Sequence, residues 1–492
     1  MTLLYLTLTL PLVAILLLGL VGHRREGATL NLLFAAAGLL SSLAMALQVL
    51  REGPLSSADG QFYVDAFNVY LLVLTCFVGF TTALFSRPYM AHELEIGRLT
   101  PPRLRLYHAS YQGFLFTMLL ALSTNNLGIL WVAMEGATLS SVLLVSLYRT
   151  PESIEAAWKY FILCGVGIAQ ALFGTVLLYF AASSIDLPAG DALLWNRLVA
   201  HADALEPVAM SIAFIFLLVG YGTKVGLVPL HNWLPDAHSE GPTPMSAVLS
   251  GLLLNVALYA LVRLKMLTDG ALAGGEQAAL AGHLMMGFGL VSFLTAGLFL
   301  HRQKDIKRLF SYSSIEHMGL ITFAFGLGVP LATFGALLHM MVHSLTKSAI
   351  FVTVGHASQI AGTQRLEQIR GLIHTQPAVG WGLLIGTAAI AGFPPFGVFS
   401  SEFLLLSATM QHWPWLTPLL LVGLVIAFAG LFRAIQPVAF GTPPEGQVAI
   451  PVTLWPVAIH LALVLWLGLA IPDFLAAWFD QATRLITGSG LL

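Results

Sequence analysis

Charged residues are scarce in this sequence: Asp, Glu, Lys and Arg together make up only 9% of its 492 residues. In ordinary soluble domains about a quarter of the residues are charged, so the composition excludes that class. The formal net charge is only -2, which gives no reason to expect nucleic acid as a partner. The shortage of charge therefore indicates a chain that lies mostly within a membrane.

Cysteine is nearly absent as well. The chain has two cysteines, Cys76 and Cys164, and both fall inside apolar stretches without the spacing of a metal site. We expect both to be small buried residues of the core. The sequence also lacks a haem-attachment motif and a dinucleotide-binding fingerprint, so it predicts no cofactor, metal or redox centre in this chain.

Apolar residues dominate what is present, with 57% hydrophobic residues and a mean hydropathy of +0.84. A window of about 19 residues finds about fourteen apolar runs that are long enough to span a bilayer. They lie at residues 3–20, 28–50, 63–86, 107–124, 126–148, 158–181, 208–235, 243–266, 281–300, 306–328, 331–358, 378–410, 415–436 and 452–470. The predicted fold is an all-α polytopic membrane protein with about 14 transmembrane helices. The seventh, eleventh and twelfth runs are longer and contain Gly or Pro, so we expect irregular helices there.

The distribution of Lys and Arg predicts the orientation of the chain. Fifteen of the 22 lie in or beside the odd-numbered loops, whereas five lie in the even-numbered loops and the C-terminal tail. Because positive residues favour the cytoplasmic side, we expect both termini on the outer side. The first run lacks a small-residue cleavage signal and is expected to be a retained helix. Asp65, at the start of the third run, is expected to cap a helix.

A lysine stands at membrane depth in the seventh run. Lys224 follows the apolar stretch 210–219, and Pro229 and Pro235 then interrupt the helix because proline removes a backbone donor. A charge beside a broken helix is typical of an ion site inside a bundle. Glu135 lies among apolar residues in the fifth run and needs a cationic partner. We therefore interpret Glu135 and Lys224 as a charge pair.

The eleventh run carries three ionisable residues on one helix face. His339, His343 and Lys347 recur every four residues in GALLHMMVHSLTKSAIF. Three such groups in register within a membrane helix describe a proton path better than a core. Asn255 is the one strongly polar residue in the middle of the eighth run, where it is suited to hold water or another helix.

A second broken helix is predicted in the twelfth run, at AGFPPFG, and Glu402 follows it. Matching interrupted helices in two halves of a chain are typical of inverted-repeat transporters. We predict helices 1–3 in residues 1–104, a first inverted five-helix repeat in 105–266, a second in 280–437, and a last helix and tail in 438–492.

Five segments resemble the antiporter-like proton-pumping subunits of respiratory complex I and of membrane-bound hydrogenases. They read NNLGILWVAMEGATLSS, EAAWKYFILCGVG, GTKVGLVPLHNWLPDAHSEGPTP, DIKRLFSYSSIEHMGL and HSLTKSAIF. The resemblance extends from about the third run to the thirteenth. Within that family it is greatest to the component F group of hydrogenase-4 and formate hydrogenlyase.

The resemblance implies roles for the polar residues already described. Glu135 and Lys224 would be the charge pair of the first half-channel, and Glu402 the ionisable group of the second. The central hydrophilic axis would consist of His317, His339, His343 and Lys347. The complex I subunits usually have a lysine on the eighth span where this chain has Asn255. Ordered water beside that amide would therefore have to bridge the axis.

The resemblance also implies a function: a proton-translocating subunit of an electron-transferring complex, of nickel–iron hydrogenase type, in a prokaryotic inner membrane. The nickel–iron centre and the iron–sulfur clusters would lie in partner subunits, namely further membrane subunits and a peripheral cytoplasmic arm. A multi-subunit Na⁺/H⁺ antiporter or an inorganic-carbon uptake system remains an alternative, whereas a purely structural scaffold conflicts with so many charges at membrane depth. The His–Lys stripe favours protons, because sodium prefers oxygen ligands.

Overall fold

A computed structural model describes residues 1–185, 187–188, 190–444 and 451–491. Its helices are α1 (Thr2–Val21), α2 (Arg25–Glu52), α3 (Ala66–Glu95), α4 (Pro101–Ser123), α5 (Leu127–Val145), α6 (Pro151–Ala181), α7 (Trp195–Ala200), α8 (Pro207–Val225), α9 (Trp233–Glu240), α10 (Thr243–Val248), α11 (Leu254–Ala271), α12 (Leu280–Leu300), α13 (Ile306–Leu327), α14 (Pro330–Ala361), α15 (Leu372–Thr375), α16 (Pro377–Ile390), α17 (Gly397–His412), α18 (Thr417–Phe440), α19 (Trp455–Leu469) and α20 (Asp473–Thr487). Two short antiparallel strands, β1 (Leu55–Ser56) and β2 (Tyr63–Val64), lie between α2 and α3.

The helices confirm the predicted all-α polytopic fold. Ten helical segments of the described residues are long and apolar enough to cross a membrane, and the bent pair α19–α20 raises the number to eleven. The remaining expected spans are α4 and α13, whose first turns carry Arg or Lys, and α16–α17, which is split. Each of the fourteen apolar runs therefore coincides with one helix or with one interrupted helix.

The interruptions in the seventh and twelfth runs are confirmed. The first separates α8 from α9, and the second separates α16 from α17. Pro229 lies within the first break, but Pro235 lies in the first turn of α9. Proline is tolerated there because the N–H groups of a first turn have no partner in the helix. The prediction that Pro235 interrupts the helix is therefore wrong.

The expectation of an irregular helix in the eleventh run is wrong, because α14 is one continuous α-helix of 32 residues. Pro330 begins this helix, where proline is well accommodated. Gly355 serves close packing, because a Cβ there would lie 2.9 Å from the ring of Phe85. The irregularity lies instead in the eighth run, where a π-helical turn, Leu249–Leu253, joins α10 to α11.

Contacts between loops define the two ends of the bundle. At one end Arg103 Nη1 donates to Tyr148 O at 3.2 Å, and Asp236 pairs with both Lys159 and Arg308. We call this the basic end, since the loops before α2, α4, α6 and α13 bring their Arg and Lys residues there. At the opposite end the α2–α3 loop pairs with the loop between α4 and α5. The even-numbered loops therefore meet at that end.

The centre of the bundle consists of α14 and of the helix that runs from α10 to α11. In the α10–α11 span all residues of the most apolar 18-residue stretch are buried (100%), and in α14 94% of that stretch is buried. By contrast only 33%, 39% and 39% of the corresponding stretches of α1, α2 and α18 are buried, so these helices present broad apolar faces outward. Cys76 and Cys164 are buried free thiols, as predicted.

Asp65 caps α3, as predicted. Its Oδ1 accepts hydrogen bonds from the N–H groups of Phe67 and Asn68 at 3.0 and 3.1 Å. Its Oδ2 pairs with Arg263 Nη2 at 2.6 Å, and the guanidinium carbon lies 4.3 Å from the centroid of the Trp195 ring. A buried ion pair therefore fastens α3 to α11 at the opposite end.

A helix that the sequence did not predict closes the opposite end. The axis of α20 turns by 80° from that of α19. Its Trp478 donates from Nε1 to Ala66 O at 2.8 Å, and its Phe479 ring packs edge-on against Tyr70 at 5.1 Å. Residues 438–492, for which one last helix and a tail were predicted, therefore contain a second helix. Residues 445–450 and 492 lie outside the described residues.

Candidate functional site

Lys224 lies in the last turn of α8, where the seventh span is interrupted. Gly226 adopts a left-handed conformation with φ of 85°, and its N–H donates to Gly222 O at 3.0 Å, which ends the helix. The indole Nε1 of Trp233 donates to Thr223 O at 2.8 Å. The break therefore exposes few carbonyls, and Lys224 itself is fully buried.

A threonine hydroxyl links Lys224 to Glu135. Lys224 Nζ donates to Thr138 Oγ1, and this hydroxyl donates to Glu135 Oε2 at 3.2 Å. Within the described residues Lys224 Nζ and Glu135 meet only through Thr138 and do not form a direct ion pair within 4.0 Å. Their charges still interact electrostatically. The structure brings the predicted partners together through Thr138, and their joint role stays a prediction.

The stripe on α14 faces the interior of the protein. His339, His343 and Lys347 are all 0% exposed. They face α13 and α17, which lie beside α14 and carry further ionisable side chains. The structure therefore brings the predicted stripe together with His317 and with Ser401, the residue that precedes Glu402 on α17.

A hydrogen-bonded row of three side chains crosses from α13 to α17. His317 Nδ1 lies 3.0 Å from His339 Nε2, and His339 Nδ1 lies 2.9 Å from Ser401 Oγ. The Ser401 hydroxyl donates to Val398 O at 2.8 Å, so its oxygen accepts from His339 Nδ1–H. His339 Nε2 then accepts from His317 Nδ1–H. The other ring nitrogen of His317, Nε2, is left facing Glu316 Oε2 at 3.4 Å.

Glu316 interacts with two further charged residues of this site. Its side chain is buried, and it interacts electrostatically with Lys347 on α14 and with Glu402 on α17. The Lys347 ammonium donates to Phe310 O at 2.9 Å. Because isolated charges are costly at this depth, Glu316 is the counter-charge that the buried lysine needs.

Glu402 lies against the second broken helix. Gly392 in that break has φ of 69°, and a Cβ there would collide with Glu402 Oε2. Only glycine leaves room for the carboxylate at this point and also tolerates the left-handed backbone. The break between α16 and α17 and the position of Glu402 therefore depend on each other.

Asn255 joins α11 to α14 beside the π-helical turn. Its Nδ2 donates to Ser344 Oγ at 2.8 Å, to Met340 O at 3.2 Å and to Gly251 O at 3.3 Å. Its Oδ1 is buried and has no hydrogen-bond partner among the described residues. The turn brings the helices close, since a Cβ on Gly251 would lie 3.1 Å from Ser348 Oγ. Asn255 thus lies next to the stripe and links α11 to α14 by hydrogen bonds, while its Oδ1 can still accept one.

The sequence reasoning missed three members of this site. Glu316 was visible as a carboxylate next to His317 inside a span, and that adjacency was the available signal. Thr138 and Ser401 gave no signal, because serine and threonine are common in membrane helices and usually bond to their own backbone. Only the packing of neighbouring helices shows that these hydroxyls connect ionisable groups.

Comparisons with known proteins show the family to which the chain is related. The family described as "NADH:quinone oxidoreductase/Mrp antiporter, TM" matches residues 124–427. The chain is 50% identical over 476 residues to a hydrogenase-4 component F homolog of Methylacidiphilum infernorum, covering 97% of this chain and 98% of that protein. It is 27% identical to NADH-quinone oxidoreductase subunit N of Desulforudis audaxviator, covering 76% and 72% of the two chains.

One solved structure shows how far the shared fold extends. A chain of the membrane-bound sulfane sulfur reductase, an archaeal respiratory membrane complex, superimposes with a TM-score of 0.87 at 23% identity. The match covers 98% of this chain and 97% of the other. The overall arrangement of helices is therefore a fold that also occurs in this archaeal respiratory membrane complex.

Proposed function

Because the chain belongs to the NADH:quinone oxidoreductase/Mrp antiporter transmembrane family, we propose that it translocates protons as one membrane subunit of an electron-transferring complex of hydrogenase type. Its relatives are named as components of multi-subunit membrane complexes, so the chain acts beside other membrane subunits. The observation that carries the proposal is the row of buried ionisable groups across α13, α14 and α17.

The hydrogen bonds of that row set out a proton transfer. In the neutral state described above, His317 Nε2 is free to accept a proton, and Glu316 lies 3.4 Å away to balance the charge that results. The protonated ring can then pass its Nδ1 proton to His339 Nε2, across 3.0 Å. His339 then carries a proton on each ring nitrogen, and its Nδ1–H continues to donate to Ser401 Oγ. A histidine ring accepts at one nitrogen and donates at the other, which suits it to this relay.

Lys347 and Glu402 both interact with Glu316, which lies next to His317 in the sequence. A proton on Lys347 attracts the carboxylate of Glu316, and Glu316 in turn repels Glu402 when both are ionised. Moving a proton from Lys347 to Glu402 therefore gives up the attraction between Lys347 and Glu316 and relieves the repulsion between Glu316 and Glu402. Such coupled charges at membrane depth are typical of proton relays.

The remaining parts of the proposal concern the surroundings of the chain. The basic end lies in the cytoplasm of a prokaryote, with the chain in the inner membrane, because positive loops favour that side. A peripheral arm with a nickel–iron centre and iron–sulfur clusters carries the electrons. This chain contributes the proton path, and its His and Lys groups suit protons better than sodium ions.

Purification through a tag on this chain tests the proposal. Mass spectrometry of the copurified subunits should identify hydrogenase-type partners, and the complex in vesicles should move protons when hydrogen is supplied. Lys347→Ala should abolish proton movement, whereas Lys304→Ala, at an exposed position before α13, should leave it unchanged. Copurification of antiporter subunits, with sodium-driven proton movement in the absence of hydrogen, would establish the alternative function.

A further inference from the structure

A buried glutamate lies at the basic end of α3, apart from the site described above. Glu93 is 0% exposed, although it is only two residues from the end of its helix. Its Oε1 accepts from Gln359 Nε2 at 2.9 Å, at the end of α14. Its Oε2 accepts no hydrogen bond from the described residues and lies 3.9 Å from Arg98 Nη1. The Arg98 side chain is 55% exposed, so the buried carboxylate lies beside a charged group that reaches water.

A buried lysine connects Glu93 to the end of α9. Lys307 is 1% exposed and interacts electrostatically with Glu93. Its ammonium donates to Gly241 O at 2.8 Å and to Ser239 O at 3.3 Å, where α9 ends. A cation at a helix C-terminus is favourable, so Lys307 holds α9 in place and also provides a counter-charge for Glu93.

His238 lies on α9 between this cluster and the stripe on α14. Its ring is buried, stacks on Phe351 at 5.0 Å, and has no hydrogen bond at either nitrogen among the described residues. Phe351 is one helical turn beyond Lys347, and His238 interacts electrostatically with both Lys347 and Lys307. Buried polar atoms are normally satisfied, and water does so where protein does not.

Hydroxyl groups lie near Glu93, toward the start of α10. Tyr89, one turn before Glu93 on α3, has its hydroxyl 3.2 Å from Thr243 Oγ1 at the start of α10. The Tyr148 hydroxyl interacts with both Tyr89 and Glu93. Hydroxyl groups both donate and accept, so they can pass protons together with water.

We propose that Glu93 takes up protons at the basic end and delivers them, by way of the Tyr89–Thr243 hydroxyls and His238, to Lys347. This route is separate from the Glu135–Lys224 pair, and it begins outside residues 124–427, which match the family. It rests on the proposed function, because it supplies the same row of histidines with protons.

The two lysines beside His238 give the route a direction. A protonated His238 is repelled while Lys347 is charged, so a proton crosses this ring only after Lys347 has passed its own proton onward. The charge on Lys347 thereby closes the route after each transfer.

The experiment compares Glu93→Gln with Glu95→Gln in the intact complex in vesicles. Glu95 is exposed on the same helix and serves as the matched control. We expect Glu93→Gln to slow proton uptake at least about tenfold, as removal of a positioned proton carrier does. Glu95→Gln should match the wild type, and Glu93→Asp should recover part of the lost rate.

The outcomes separate this inference from the proposed function. If the wild-type complex moves no protons, the proposed function fails. If the wild type does move protons and an assembled Glu93→Gln complex moves them as fast, the route through Glu93 is wrong, even if that variant melts at a lower temperature. Should Glu93→Gln not assemble, His238→Gln is measured in its place, and wild-type uptake by that assembled variant overturns the route.

Discussion

His317 Nδ1 and His339 Nε2 lie 3.0 Å apart, inside the membrane and on different helices. One nitrogen must donate and the other accept, and the bond from His339 Nδ1 to Ser401 Oγ decides which. The pair therefore has a defined tautomer at each ring. Changing one ring consequently alters the proton positions on the other.

His339→Gln tests this dependence. A glutamine amide can hold a hydrogen bond to His317, so the complex should assemble, but it cannot accept and release a proton. Proton uptake should fall to background while the melting temperature changes little. His339→Leu should in addition destabilise the complex by about 1–3 kcal/mol, because His317 Nδ1–H loses its partner. Vesicle uptake and thermal melting of the two variants measure both effects, and normal uptake by His339→Gln contradicts the relay.

Thr138→Val tests the hydroxyl between Glu135 and Lys224. Valine keeps the shape of threonine but removes the oxygen that bonds to both side chains. We expect assembly and a loss of proton uptake similar to that of Glu135→Gln or Lys224→Ala. Thr138→Ser should retain activity. Ser140→Ala is the control, because that hydroxyl bonds only to backbone carbonyls of its own helix. Equal uptake by Thr138→Val and Ser140→Ala would show that the hydroxyl is dispensable.

The sequence predicted those parts of the site that depend on a single helix. The four-residue spacing of His339, His343 and Lys347 defines one face wherever the helix packs, so the stripe followed from the sequence alone. Pro229 and the PP pair in the twelfth run likewise marked the breaks. Thr138 and Ser401 could not be assigned, because their roles arise from side chains on other helices. The helix α20 was missed since its polar face lowers its mean hydropathy below that of a span.

Asp65→Ala tests whether the Arg263 pair is structural. Removing the carboxylate leaves a buried guanidinium without its counter-charge, which typically costs about 3–5 kcal/mol. It also removes the cap of α3, which contributes about 1 kcal/mol. The complex should therefore melt at a clearly lower temperature. The assembled fraction should transport protons at the wild-type rate, since the pair lies away from the stripe. Asp59→Ala, at an exposed position in the same loop, is the control; an equal loss of stability in both would contradict the role of the pair.

Asn255 stands where the resemblance leads us to expect a lysine in the complex I subunits. Its Nδ2 donates to Gly251 O, Met340 O and Ser344 Oγ, which are three acceptors that a lysine ammonium could equally use. We therefore expect Asn255→Lys to assemble and to support proton uptake close to that of the wild type. Asn255→Leu removes every one of these bonds and also the free Oδ1. A hydrogen bond between membrane helices contributes roughly 0.6–2 kcal/mol, so this variant should be less stable yet still assemble.

The rate of the assembled Asn255→Leu complex distinguishes two roles for the amide. If Oδ1 holds water between Lys224 and the stripe, leucine dries this region and proton uptake slows even where assembly is complete. If the amide only ties α11 to α14, the loss appears in thermal stability, and each assembled complex transports at the normal rate. Uptake normalised to assembled complex, measured for the leucine and lysine variants side by side, therefore decides between them. Normal uptake by Asn255→Leu would rule out the water-bridging role.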